Sequence, residues 1–376
     1  MLFRSRPGRV FHDDEPVALR LRAFNASDRK LDATVSVQVY DVLNRVVKTR
    51  DVEITAGPGT TREVPLDLTT GTRGIFRAVL WTDVGGGAEE EVVWCVVPRP
   101  RSAKPDPESA IGVHANPSDF QLRTLRRLGV HWQRVLSPAA YFRWQLVEPT
   151  KGRYIWHDDA VRKTVEHGFT IVGCLHGIPD WANRDGRPDL EEWERYVTAV
   201  VNHYKPWVKW WEVWNEPIHQ FKPAFYAQLL QRTARAIRRA DPDAKIVGMG
   251  GSYSAAWCLA VIQQLDGKPT DHFDVLSTHL YPEKADPRNP TDGRNARRFR
   301  KGILLPYKIP IWNTETGAWC RGFHKGPNAS FGRPGEPLWP YADGWRFYRG
   351  CTREAERTVR NFLHSVGNGF ERYFYY

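Results

Sequence analysis

The chain has 376 residues, 41% hydrophobic and 26% charged, and a formal net charge of +11. That length exceeds one compact core and suits two domains, and no apolar run approaches the roughly 20 residues of a membrane-spanning helix. Its five cysteines (Cys95, Cys174, Cys258, Cys320, Cys351) form neither a CxxC pair nor a Cys/His zinc pattern, which argues against a structural metal.

Residues 10–97 read as short strands. Val17–Phe24 is apolar in near alternation, Thr34–Tyr40 alternates cleanly, and Ile75–Trp81 and Glu91–Val97 follow, with Gly, Asn and Asp between them. Such spacing predicts an immunoglobulin-like β-sandwich over residues 1–98. The segment 99–109, rich in Pro and charge, reads as a linker.

From residue 110 the pattern becomes strand, helix, strand, helix. Strands are expected at Ile111–His114, Trp132–Ser137, Phe169–Gly177, Trp207–Trp214, Lys245–Gly251, Phe273–Tyr281, Ile309–Thr314 and Arg372–Tyr376. Helices are expected between them, the clearest at Pro223–Ala240, where Tyr226, Leu229, Leu230, Thr233 and Ile237 keep a helical period. Eight such units predict a (β/α)8 barrel over 110–376. An open doubly wound sheet is the alternative, but no GxGxxG follows the first strand. The eighth strand ends the sequence, so the last barrel helix is expected to be missing, with possible truncation at both ends. No signal peptide is visible, which leaves the compartment open.

The first hundred residues carry 14 Lys+Arg and 14 Asp+Glu, so the whole positive excess lies beyond them. A basic barrel suits anionic polymers, or simply carries arginine on solvated helix faces. The run Arg294–Lys301 does not alternate with a series of stacking aromatics, so nucleic acid is not an expected partner. The 16 Trp, 14 Tyr and 17 Phe serve either a bulky core or a sugar-binding cleft. Cys320 and Cys351 flank a long loop and could pair.

Barrel catalysis comes from the C-terminal ends of strands, and two of these ends carry Glu. The fourth reads Trp211-Glu212-Val213-Trp214-Asn215-Glu216-Pro217, the seventh Ile311-Trp312-Asn313-Thr314-Glu315-Thr316-Gly317. Glycoside hydrolysis needs two carboxylates flanking the scissile bond. WNEP on strand four with Glu ending strand seven resembles the retaining (β/α)8 glycosidases of clan A. Val147-Glu148-Pro149 with Lys151-Gly152-Arg153-Tyr154, Gly177–Ala182 and Thr278–Pro282 look most similar to glycoside hydrolase family 39, of β-xylosidase type.

The resemblance implies a carbohydrate substrate, no cofactor and no metal. Glu216 would be the acid/base and Glu315 the nucleophile, in a double displacement through a covalent glycosyl-enzyme. Asn215 would bond the sugar 2-hydroxyl. Arg134 would hold Glu315 ionised, Tyr281 would bond Glu315, and His279 would support the same corner. His114 and His176 would line the pocket, His176 being equally readable as a core histidine. Trp181, Trp214 and Trp319 are candidate stacking platforms, although Trp214 also reads as barrel packing. Glu212 reads as a structural or helix-side ion pair. Apolar surroundings and its ionised neighbour should raise the pKa of Glu216, and the carboxylates should lie about 5–5.5 Å apart. Clan members place a Trp at the end of strand eight, where this chain has Tyr375-Tyr376. The loop Ala318–Thr352 is expected to shape the cleft, but exo or endo action stays open, as do the sugar and the oligomeric state. The competing reading is a non-catalytic carbohydrate-binding protein on a glycosidase-derived fold.

Overall fold

The computed structural model describes residues 9–376 except 44, 83, 85–87, 103, 116, 137–139, 282–293 and 318–357. The chain forms two compact units, Met1–Lys104 with Ser118–Gly129, and Pro105–Pro117 with Val130–Tyr376. The helix Asp119–Arg127, which strand–helix alternation assigns to the barrel, thus groups with the first unit. Within that unit Arg127 donates to the Val10 carbonyl at 2.7 Å and pairs with Glu15.

The first unit holds a five-stranded sheet in the order Val10–His12, Ala88–Val97, Gly74–Thr82, Leu31–Asp41, Val46–Ala56. Its first pairing is parallel and the others antiparallel. Ala18–Phe24 and Thr61–Asp67 form a separate antiparallel pair. Alternation explains the core. Val35, Val37 and Val39 point inward with Leu19, Leu21, Leu66, Leu80 and Trp94, while Ser36 and Gln38 sit between them at partial exposure.

The second unit is a closed barrel of eight parallel strands: Ile111–Val113, Trp132–Val135, Thr170–Leu175, Trp210–Val213, Lys245–Gly248, Val275–Thr278, Ile311–Thr316 and Arg372–Tyr375. The eighth pairs with the first through Tyr373 opposite Ile111, which closes the ring. Strand residues are buried on both faces, as parallel sheets require. Inside lies an aromatic cluster of Trp132, Trp312 and Phe374 with Val172, Val247 and Val275. The Arg372 guanidinium sits 4.5 Å from the ring centroids of both Trp132 and Trp312, a cation over two aromatic faces. Outside, helices Leu190–Tyr204 and Pro223–Ala240 bury one face each against the strands, with Trp193, Tyr196, Val200, Tyr226, Leu230 and Ile237 in a shared core. Asp189 caps the first of these by accepting from the Glu191 and Glu192 amides. No helix among the described residues is long and apolar enough to cross a membrane.

Candidate active site

Parallel closure brings all eight strand ends to one rim, and the polar groups gather there. Arg134, on strand two, is fully buried and organises the site. Its Nε binds Glu212, its Nη1 donates to Glu315 Oε2 at 2.9 Å, and its Nη2 donates to Asn215 Oδ1 at 2.8 Å. Burial opposes the Arg134 charge, yet Glu212 and Glu315 more than offset it and hold its pKa above the ordinary arginine value. Glu212 is also fully buried and accepts from Thr314 Oγ1 at 2.8 Å. It points into the barrel as a structural ion pair, not outward toward a helix.

Glu315, 13% exposed, accepts from Tyr281 Oη at 2.7 Å through its other oxygen. Burial, then the Glu315 carboxylate, pushes the Tyr281 hydroxyl pKa up, so it stays a donor. Glu216 is more open, at 31% exposure, and lies 3.0 Å from His279 Nδ1. His279 therefore serves the Glu216 corner rather than that of Glu315. Glu216 was expected to have a raised pKa; the free site lowers it. The His279 hydrogen bond outweighs partial burial, and the positive fields of His279, His219 and Arg134 add to it.

The turn after strand four explains how Glu216 reaches the rim. Trp214 and Glu216 both adopt positive φ, 70° and 47°, and the Glu216 amide donates to the Gly250 carbonyl at 2.6 Å. Holding non-glycine residues there costs backbone energy. Gly251, at φ +80°, lies under the His279 ring; a Cβ there would come 1.9 Å from Nε2. Gly251 thus supplies the space that lets His279 face Glu216. Neither glycine carries a polar side chain, so only the geometry reveals their part.

The other expected residues fall in three groups. Asn215 presents an amide nitrogen that no described residue engages, its Oδ1 being held by Arg134. His114 Nε2 lies 3.0 Å from the Thr314 carbonyl and its ring meets Tyr376 edge-on. Burial and then Arg134 keep the His114 pKa well below the usual histidine range. His176 is buried with Nε2 unpartnered, and burial, then Arg143 and Arg134, push its pKa down to about 3. Trp181 donates Nε1 to the Glu148 carbonyl at 3.2 Å and packs edge-on against Trp144. Trp214 is buried against Trp193 and Phe221 and serves packing, not stacking. Trp319, Cys320, Cys351 and the loop 318–352 lie outside the described residues. Glu148, from the 147–154 motif, is a buried anchor: it accepts from Trp144 Nε1 at 2.9 Å, from the Gly152 amide at 2.6 Å and from Arg195 at 2.6 Å.

Glu216, His279 and Glu315 each offer one ligand atom, all within 4.8 Å of one another. As a metal site this trio is poorly suited. Arg134 already occupies one oxygen of Glu315 and Tyr281 the other, and His279 Nδ1 faces Glu216. A cation would have to compete with a buried guanidinium for the same carboxylate.

Such a closed barrel, with carboxylates converging at the C-terminal mouth, is the fold of a (β/α)8 enzyme. It is the fold of a family 39 glycoside hydrolase: the structure of one from the gut symbiont Bacteroides cellulosilyticus WH2 superposes with a TM-score of 0.69, at 17% identity, covering 100% of this chain and 75% of that one. Among curated proteins, the endo-1,4-beta-xylanase A of Phanerodontia chrysosporium is 27% identical over 129 residues, which is 30% of this chain and 31% of the xylanase. No protein-family model matches the chain.

Proposed function

We propose that the protein is a retaining glycoside hydrolase that cleaves β-glycosidic bonds, with Glu216 as acid/base and Glu315 as nucleophile. The observation carrying this reading is the unequal treatment of two converging carboxylates. One oxygen of Glu216 and one of Glu315 lie within 4.8 Å of each other, compatible with the ~5–5.5 Å carboxyl spacing of retaining enzymes. Glu315 accepts from Arg134 and Tyr281, one through each oxygen, contacts that orient it toward the anomeric carbon. Glu216 is freer and more exposed, the form that protonates a leaving group and then activates water. Family 39 fold likeness and the xylanase match favour a glycan substrate, with xylosides first among the sugars to try.

The reaction follows from these contacts. Protonated Glu216 gives its proton to the glycosidic oxygen as Glu315 Oε attacks the anomeric carbon; the glycosidic C–O bond breaks, the aglycone leaves as an alcohol, and the Glu315–sugar ester forms. Ester formation removes the Glu315 charge, so Glu216, now ionised, takes a proton from water that attacks the ester. A bound sugar displaces water from Glu216, and desolvation raises a carboxyl pKa; this offsets the His279 bond that lowers it in the free site. Asn215 Nδ2 is the donor for the sugar 2-hydroxyl.

In the same reading the first unit is an immunoglobulin-like β-sandwich, supported by two sheets sharing one apolar core. In chain order the domain limits of this reading are 1–98, a 99–109 linker and 110–376, with the helix Asp119–Arg127 packed on the first unit. The test of function is a panel of aryl β-glycosides with Glu315→Gly beside the wild type. Wild-type hydrolysis of one member, lost in Glu315→Gly and partly restored by azide, supports the assignment. Hydrolysis unaffected in Glu315→Gly overturns it. Glycan binding with no turnover on aryl glycosides or polysaccharides favours a binding protein instead.

A further inference from the structure

Barrel strand five ends in a left-handed turn. Met249, Gly250 and Gly251 have φ of +69°, +51° and +80°, three successive residues in a region that L-residues visit singly and that glycine favours. Met249 is fully buried and carries a side chain there, so the surroundings must hold the turn against its local preference. The grip comes from strand six. Ser277 is fully buried, and its hydroxyl accepts from the Gly251 amide at 2.7 Å and donates to the Gly248 carbonyl at 2.9 Å. One hydroxyl thus ties the residue before the turn to the residue that ends it.

Two residues of the site dock on this turn. The Glu216 amide donates to the Gly250 carbonyl at 2.6 Å, and the His279 amide donates to the next carbonyl, that of Gly251, at 2.9 Å. Glu216 follows strand four and His279 follows strand six, and strand five separates the two in the barrel. Successive carbonyls of one turn therefore set the spacing of two backbones that do not pair with each other. Their side chains meet at 3.0 Å, His279 Nδ1 to Glu216 Oε1. The fit is tight. A Cβ on Gly250 would stand 2.8 Å from the Val213 and Trp214 carbonyl oxygens and from Pro217 Cδ, so the turn is wedged against the backbone that carries Glu216.

We propose that Ser277 is a positioning residue for the acid/base: its hydroxyl holds the left-handed turn 249–251, and that turn sets the spacing of Glu216 and His279. This rests on the glycosidase reading, in which Glu216 protonates the leaving group. Ser277 is sealed from solvent and acts only through the backbone it ties. Removing its hydroxyl strands a buried amide and a buried carbonyl, and buried backbone groups do not stay unpaired. Their re-pairing rewinds the turn and carries the two docking carbonyls out of register, so His279 no longer meets Glu216 squarely. The other charged groups facing Glu216 stand elsewhere and keep their places: His219 Nε2 at 3.8 Å on the turn after strand four, Arg134 on strand two and Glu315 on strand seven.

The test compares wild type, Ser277→Ala and Ser277→Cys, as full chains, on the 2,4-dinitrophenyl and phenyl β-glycosides of the sugar that the aryl panel selects. Dinitrophenolate leaves without a proton, whereas phenol needs the acid. In Ser277→Ala, kcat/KM on the phenyl glycoside should fall about tenfold or more, part of the roughly 10²–10⁴ that a positioned acid supplies, with the dinitrophenyl glycoside changed by less than about threefold. Ser277→Cys keeps a weaker donor and acceptor and should fall less. Equal falls on both substrates would make Ser277 merely structural and overturn the proposal, as would no fall on either. If the wild type hydrolyses nothing, the glycosidase reading fails by itself, and ¹³C NMR titration of chains labelled at the glutamate carboxyls still reads the spacing. The Glu216 signal is the one lost in Glu216→Gln. The His279 bond lowers the Glu216 pKa, so a Glu216 signal titrating at higher pH in Ser277→Ala supports the proposal, and an unchanged midpoint overturns it. Should Ser277→Ala not fold, Ser277→Cys is read by the same two measurements, with the same directions expected.

Discussion

Replacing Arg134 by Met isolates the ion pair on which the site is built. Arg134 and Glu212 are both fully inaccessible. The substitution keeps apolar bulk but leaves Glu212 charged in the barrel interior, with Thr314 as its remaining donor. Removing one partner of a buried pair costs about 3–5 kcal/mol, because the other charge is left uncompensated. For a unit of this size each kcal/mol moves the melting point by roughly 2–4 °C, so Arg134→Met should lower Tm by about 6–20 °C. Adding Glu212→Gln removes the stranded charge, and the double variant should regain at least about half of that loss. Glu315 is then unpaired as well, but it is partly solvated and keeps its Tyr281 bond. Scanning calorimetry at pH 7 reads all four members of the cycle. A drop under about 2 °C in Arg134→Met, or no recovery in the double variant, would show that burial of this pair does not organise the barrel mouth.

Tyr281→Phe removes one hydrogen bond to an ionised carboxylate, worth about 1.5–3 kcal/mol; kcat on a xyloside should fall about 10- to 150-fold with Tm little changed, and a loss under threefold would make Tyr281 incidental. His279→Ala removes the contact that stabilises ionised Glu216. The Glu216 pKa should rise toward its ordinary value. Activity needing protonated Glu216 is lost as pH rises through that pKa, so the alkaline limb of kcat/KM should move to higher pH, and a limb moving lower would contradict the assignment. Gly251→Ala places a methyl against the His279 ring at a positive φ; it should shift the same limb in the same direction as His279→Ala, with an added stability loss of about 1 kcal/mol or more from backbone strain, and an unshifted limb would separate Gly251 from the site.

The barrel was readable because parallel strands buried on both faces stand out as apolar runs between amphipathic helices. Glu216 and Glu315 stood out in the sequence because both close strand-like runs, and the fold brings them to one rim. What sequence alone missed depends on partners distant along the chain. Glu212 reads as a structural or a helix-side ion pair, and Arg134, 78 residues away, makes it the structural one, a choice no local pattern reports. His279 and Tyr281 are two residues apart and were expected to serve one carboxylate. The chain leaves the strand after Thr278, and the opening above Gly251 takes His279 to Glu216 instead. That same contact reverses the expected direction of the Glu216 pKa. Trp214 sits in the motif but turns at positive φ into the helix layer. In the first unit, Val46–Ala56 escaped notice because Arg50, Asp51 and Glu53 cover a solvated face, and alternation begins only at Val52.

The stereochemistry of the first sugar released tests double displacement most directly. Proton NMR during hydrolysis of the preferred aryl β-glycoside, at enzyme concentrations that outpace mutarotation, resolves the anomer formed before equilibration. Carboxylates this close, one of them bound by Arg134 and Tyr281, predict that the β-anomer appears first and the α-anomer grows in later. The α-anomer appearing first would mean single displacement by water, and Glu315 would not be a nucleophile.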